Sequence, residues 1–441
     1  MSRIKQYRDR KSSLFQSAVS EVAARHAGVQ TLSVAGGTPS AIRPTMDDPL
    51  TGAATDFLDA AQTGEPMPDL PPPTAVTLGV ADVAKYCANI SLKLGEALGK
   101  ALLTGDSQEV QQCRDRLGQF SQCDPRWREA AEQYANYFVL QQKNIPYIRH
   151  TNLSDFVIDG KLGGTARIAI VGDWGTGQDV ALLLLKQIAR KNPDVVIHLG
   201  DIYYAGTQFE VDNYFWNPWS QILQLSQNPN RMTFNLTGNH DMYSGGQAYY
   251  GLLSKLGQPA SYFCLRNKDW QLICIDTSLH DCNPLGTEPT MLEATEVEWV
   301  QDKVKNSGGR RTILLSHHQL FTAYESIGDK YFNEHLQSQL GPLLPNVALW
   351  IWGHEHNFVV YEKCMGVLAR CLGHGAFPVD PTEIPSKPQW PDVPVNEKIK
   401  LAQGFAFYRH GYMILDLNAA GATASYYQDS DENTPIFSEP I

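Results

Sequence analysis

The sequence lacks several features that would each have set its class. No run of about 18 apolar residues occurs along its 441 positions, so no transmembrane helix is expected. The first residues, "MSRIKQYRDRKSSLFQSAVSEVAARHAG", are basic but lack the continuous apolar core of a secretory signal. They read as a solvated helix. None of the eight cysteines forms a CxxC pair, which argues against a thiolate zinc cluster. With the missing signal, that usage suggests a reducing, cytoplasmic compartment. Positive charge is also short. The formal net charge is −11, so the basic footprint of a nucleic-acid-binding protein is absent.

What is present is an ordinary globular composition, 43% hydrophobic, enough to bury a real core. Residues 28–75 are rich in Gly, Thr and Pro and end in "PDLPPPT"; residues 1–75 read as an arm and linker. Residues 76–160 read as a helical accessory region. Val83, Ile90, Leu94, Leu98 and Leu102 recur at helical spacing there. "DSQE" at Asp106–Glu109 has the form of a capping box, and "DPRW" at Asp124–Trp127 sets a proline at a first helical position. These stripes are expected to be packing surface rather than a cofactor box.

From about Thr165 the pattern alternates strand, helix, strand. "ARIAIVGD" and "DVVIHLGD" read as strands, with "DVALLLLKQIARK" between them as a helix that turns Val180, Leu183, Leu184 and Ile188 inward. This is a βαβ unit with parallel strands. "MTFNLTGNHD", "WQLICIDTS", "RTILLSHH", "VALWIWGHEH" and "GYMILDLN" read as further strands. Cys264 and Cys274 fall in strand-like runs and are expected in the core.

The stretch "VGDWGTGQ" at Val171 could cradle a phosphate with backbone amides or offer Asp173 to a metal. Its glycine spacing is not GxGxxG, which weakens a dinucleotide reading. The other strand ends favour a metal. They carry Gly200-Asp201-Ile202-Tyr203-Tyr204, Gly238-Asn239-His240-Asp241, Ser316-His317-His318 and Gly353-His354-Glu355-His356. Ligands of open α/β sheets gather at such ends. Oxygen and imidazole donors without thiolate suit Fe, Mn or Zn, and there are enough of them for two ions. Gly238 and Gly353 read as places where the backbone turns sharply.

The order GD…GDxxY…GNHD…H…GHxH resembles the calcineurin-like metallophosphoesterases, and within them the purple acid phosphatase branch; "VGDWG" is similar to the small tartrate-resistant type. The resemblance covers roughly residues 165–425. It implies an α/β fold, a four-layer αββα sandwich of two mixed sheets, with the catalytic domain at 161–441 behind the N-terminal helical region. Most superfamily members place histidine where this chain has Gly175, and the purple branch replaces it with a tyrosine three residues after the second aspartate, here Tyr204. By this match one metal takes Asp173, Asp201, Tyr204 and His356, and the other Asp201, Asn239, His317 and His354, with Asp201 bridging. The resemblance implies two metal ions, Fe(III) at the Tyr204 site and divalent Fe, Zn or Mn at the other. It also implies hydrolysis of a phosphoester substrate by activated water, with a phosphomonoester ahead of a phosphodiester such as a cyclic nucleotide. His240 matches the family histidine that contacts phosphate or protonates the leaving group. Asp241 either orients His240 or holds the loop, and His318 reaches the substrate or packs behind it. A scaffold that keeps the fold without catalysis is the competing class; the complete ligand set argues against it.

The remaining histidines carry less. His198 reads as a satisfied core residue. His280 and His374 are possible pocket residues. His26, His150, His335 and His410 have no motif support.

Overall fold

A computed structural model describes residues 145–281, 289–379, 387–403 and 408–441. The expected arm at 1–75, the helical stripes and caps of 76–142 and His26 lie outside the described residues.

Two mixed sheets pack face to face. The first has seven strands: β1 (Val157–Asp159), β5 (Phe263–Arg266), β6 (Trp270–Cys274), β7 (Arg311–Ser316), β8 (Val347–Trp352), β10 (Val367–Leu372) and β9 (Phe358–Cys364), in that spatial order. The second has six: β13 (Phe437–Pro440), β12 (Ala422–Gln428), β11 (Gly411–Leu417), β2 (Ala166–Val171), β3 (Val195–His198) and β4 (Met232–Asn235). The helices α1 (Asp179–Arg190), α2 (Asn239–Met242), α3 (Gln247–Leu256), α4 (Ala294–Lys305) and α5 (Glu334–Leu340) connect them.

Alternation along the strands builds the layers, because successive side chains point to opposite faces. Ile168 and Ile170 of β2 join Ile313 and Leu315 of β7 and Leu349 and Ile351 of β8 in one buried cluster between the sheets. The intervening residues face outward. Ala169 and Val171 pack with Val180, Leu184 and Ile188 of α1. On the far side, Leu314 and Trp350 pack with Trp299 and Val300 of α4. The result is the expected helix–sheet–sheet–helix sandwich.

All seven strands expected from the sequence are present, and β2–α1–β3 is the expected parallel unit, with Val171 opposite His198. Two details differ. The inward face of α1 uses Leu185, fully buried, where Leu183 was expected; Leu183 is only half-buried. The sandwich reaches back before residue 161, where the catalytic domain was expected to begin, since β1 pairs in parallel with β5. Three residues are too few to show a period, so β1 left no signal in the sequence. Cys264 and Cys274 are buried in β5 and β6, and the four cysteines among the described residues are unpaired.

Candidate metal centre

Each donor cluster follows the carboxyl end of a strand: Asp173 after β2, Asp201 after β3, Asn239 after β4, His317 after β7, His354 and His356 after β8. Because β2, β3 and β4 are mutually parallel, as are β7 and β8, these ends share one edge within each sheet.

The loops are tied to one another by backbone hydrogen bonds. Asp173 N–H donates to the Gly200 carbonyl (3.1 Å) and Gly175 N–H to the Asp201 carbonyl (3.2 Å). Gly353 N–H donates to the His317 carbonyl (3.0 Å), and His354 N–H donates to Asp173 Oδ2 (3.0 Å). The last of these joins the two sheets at the site. Three donors sit in left-handed backbone: Asp173 (φ 53°), Asp201 (φ 75°) and His354 (φ 65°). Such conformations cost about 1–3 kcal/mol each and concentrate at functional sites.

The glycines have a different task from the one expected. Neither Gly238 nor Gly353 has positive φ. They permit close approach instead: a Cβ at Gly238 would lie 2.0 Å from Asp201 Oδ1, and one at Gly353 2.6 Å from Asp173 Oδ2. Gly175 is equally constrained. A Cβ there would meet the Asp201 carbonyl at 2.7 Å and Ile202 Cα at 2.8 Å, so this backbone has no room for a histidine at that position.

One donor group contains Asp173, Asp201 and His356, whose ligand atoms lie within 4.8 Å of one another. His356 Nε2 is 3.4 Å from Asp173 Oδ1. The phenol at this group belongs to Tyr203. Its hydroxyl donates to Asp173 Oδ1 (2.9 Å) and lies 2.8 Å from His356 Nε2. The tyrosine expected here was Tyr204; the hydroxyl that meets Asp173 is that of Tyr203. The backbone decides between the two: Tyr203 N–H is bound to the Gly175 carbonyl at 2.9 Å, while Tyr204 N–H and Ala205 N–H are held by the carboxylate of Glu210. Thr207 caps the helical turn that carries Glu210.

The other donors converge beside it. Asn239 Oδ1 is 3.1 Å from His317 Nε2 and 3.0 Å from His354 Nδ1. His317 Nε2 also lies 3.4 Å from Asp201 Oδ1, so Asp201 reaches both groups. His318 belongs to a cluster with His317 and His354 by proximity, but both its ring nitrogens are engaged elsewhere. Nδ1 is 2.9 Å from Thr277 Oγ1 and Nε2 is 2.8 Å from Asp281 Oδ2.

His240 packs between Tyr203 and Tyr243, with ring centroids 4.6 and 4.8 Å away. Its Nδ1 donates to the Tyr204 carbonyl (2.5 Å), which turns Nε2 toward Asp201 Oδ2, 4.0 Å away. Asp241 does not orient His240. Its Oδ2 accepts from Asp201 N–H (3.0 Å) and Gly238 N–H (2.7 Å), so it holds the loop, the second of the two roles open to it.

The other histidines fall in varied settings. His198 is a satisfied core residue: Nε2 accepts from Trp174 N–H (3.1 Å) and Nδ1 meets Asn235 Oδ1 (2.6 Å). His280 is exposed and pairs with Glu293. His374 is buried beside Phe358 rather than offered to solvent. His150 contacts Tyr262, His335 is exposed and His410 is buried.

The electrostatics call for a cation. Asp173 and Asp201 are 0% and 1% exposed, and among the described residues their ion-pair partners are all histidines. Burial pushes the Asp201 carboxyl up, against the pull of His240. Burial would raise Asp173 too, but its hydrogen bond to His356 and the nearby His317 bring it below the usual carboxylate value. Burial, then Asp173 and Asp201, push the Tyr203 phenol well above its ordinary value. His317 is pushed down by burial and stays a neutral lone-pair donor. Anionic oxygens and neutral imidazoles in one buried place, with no lysine or arginine paired to the two aspartates among the described residues, fit metal ions. Glu355, between His354 and His356, is pushed up to about 7 by burial.

Comparison with known proteins finds similarity over the same part of the chain. Residues 166–358 match the family model described as Calcineurin-like phosphoesterase. The 3',5'-cyclic adenosine monophosphate phosphodiesterase CpdA of Escherichia coli K12 is 26% identical over 128 residues, 28% of this chain and 42% of that protein. A probable cyclic nucleotide phosphodiesterase of Coxiella burnetii is 25% identical over 166 residues, 37% of this chain and 60% of that one. The matches thus span less than two thirds of either relative. Among solved structures, GAP50, the anchor in the inner membrane complex of Plasmodium, has a TM-score of 0.42 at 14% identity, covering 63% of this chain and 88% of its own. A dimetal phosphatase from Danio rerio has a TM-score of 0.40 at 12% identity, covering 60% and 96%. The family match and the sandwich support placing this part of the chain in the calcineurin-like phosphoesterase superfamily. The purple acid phosphatase branch is not singled out, and the relatives named above are called cyclic nucleotide phosphodiesterases. Among the described residues no helix is long and apolar enough to cross a membrane.

Proposed function

We propose that the chain is a dinuclear metal-dependent phosphoester hydrolase acting on phosphomonoesters. The observation that carries the two-ion part of this reading is the shared carboxylate: Asp201 stands between the Asp173–Tyr203–His356 group and the Asn239–His317–His354 group. Two cations so held would supply activated water at mild pH and neutralise charge on the phosphoryl oxygens.

The chain's own residues supply the rest. Asp173, Asp201, Tyr203 and His356 would hold one ion, and Asp201, Asn239, His317 and His354 the other. His240, fixed through Nδ1 by the Tyr204 carbonyl, can hold a proton at Nε2 for the departing oxygen. His318, engaged by Thr277 and Asp281, is better suited to shaping the pocket than to proton transfer.

Iron follows from the phenol. A Tyr203 hydroxyl raised by burial and two carboxylates gives up its proton only to a strongly charged ion, which favours Fe(III) at this group and a divalent Fe, Zn or Mn at the other. The oxidised protein should then absorb in the visible. Tyr203→Phe should abolish the band and Tyr204→Phe should leave it. A colourless, active, iron-free enzyme would reject the iron assignment and keep the two-ion site.

A second reading, hydrolysis of cyclic nucleotide diesters, draws on the names of the relatives from Escherichia coli and Coxiella burnetii. Rates on p-nitrophenyl phosphate, its bis ester and 3',5'-cyclic AMP separate the two. Faster turnover of either diester would displace the monoesterase reading; no hydrolysis of any of them by metal-loaded protein would favour a scaffold.

A further inference from the structure

Asn239 is the only donor in the two proposed sets whose orientation decides whether it can serve at all. An amide presents a carbonyl oxygen on one side and an N–H2 on the other, and only the oxygen can face a cation. Here Oδ1 points to His317 Nε2 and His354 Nδ1, at 3.1 and 3.0 Å. The opposite side is occupied as well: Nδ2 donates to the Tyr243 hydroxyl at 2.7 Å. Tyr243 stands four residues further on, at the end of α2, which puts both side chains on one face of the turn. It is 1% exposed, and its ring is packed against His240, so the hydroxyl has little freedom to leave.

We propose that Tyr243 is a positioning residue for the second ion, resting on the two-ion reading above. It anchors the Asn239 amide by Nδ2 and so keeps Oδ1 on the metal side. Donation from Nδ2 also polarises the amide and strengthens Oδ1 as a donor. Nothing in the GNHD motif reveals this contact, because the tyrosine lies outside it.

The test is metal binding rather than turnover. Full-length protein is stripped with a chelator and titrated with Zn²⁺ in competition with a chromogenic chelator. Wild type should take two ions. Tyr243→Phe should weaken one of them by about 10- to 100-fold and leave the other alone, with the melting temperature of the stripped protein unchanged. In an Asn239→Asp background, where either carboxylate oxygen can face the ion, adding Tyr243→Phe should change both affinities by no more than about twofold. Wild-type affinity for both ions in Tyr243→Phe overturns the proposal. So does equal weakening of both ions, a lowered melt of the stripped variant, or the same loss in the Asn239→Asp background. A wild-type chain that binds no Zn²⁺ overturns the two-ion reading itself, a result distinct from all of these.

Discussion

The two donor groups share Asp201 and lie against the same loops, yet their chemistry differs. The Asp173 group is anionic: two buried carboxylates, a phenol held close to one of them, and a single imidazole. The Asn239 group is neutral apart from the shared carboxylate: one amide oxygen and two imidazoles. Their supports differ too. The Asp173 loop is tied to the core through Trp174 and His198, whereas the Asn239 side leans on Tyr243 and on Asp241, which binds the N–H groups of Gly238 and Asp201. Under the two-ion reading, the more anionic group would suit the ion of higher charge.

Removing the element common to both groups should have the largest effect. Asp201→Ala takes a donor from each ion, and activity on p-nitrophenyl phosphate should fall on the order of 10³-fold, with both ions lost in metal analysis. Retention of one full equivalent would show that the groups are independent and that Asp201 does not bridge.

Acid should act on the support of the Asp173 group. Burial pushes the His198 imidazole down to about 4, so the folded chain keeps it neutral while the unfolded chain protonates it near 6.5. The unfolded state then binds more protons between those values. Stability is full above pH 6.5 and is lost as pH falls toward 4, by about 3 kcal/mol. His198→Gln should flatten that part of the melting-temperature profile; an unchanged slope would remove His198 from the account.

The smallest effect is expected at His318, which borders the Asn239 group but is engaged by Thr277 and Asp281. His318→Ala should cost about 10-fold in kcat, without loss of either ion. A loss as large as that of Asp201→Ala would make His318 a catalytic residue and undo the bridging assignment as the dominant contribution.

Much of this was legible in the chain. The 2-residue and 3.6-residue periods around Ile168 and Val180 exposed β2–α1–β3, and polar residues after apolar runs marked the ends where donors gather. The gaps share a cause. β1 is too short to show a period. Tyr203 and Tyr204 are neighbours, and no local rule says which faces inward; Glu210, six residues beyond Tyr204, holds that backbone in place. Asp281 and Tyr243 carry no motif, because their partners His318 and Asn239 are brought to them by the fold.

By itself, then, the sequence determined the β2–α1–β3 unit and the donors Asp173, Asp201, Asn239, His317, His354 and His356 as candidates, since periodicity and strand-end position are properties of nearby residues; the layered sandwich was what the family resemblance implied. Only the tertiary structure decided which tyrosine meets Asp173, why Gly175, Gly238 and Gly353 have no side chain, and which groups brace the donors. Those are outcomes of close approach between loops of two different sheets, and hydrogen bonds and steric contacts act over a few ångströms of space, whatever the distance along the chain.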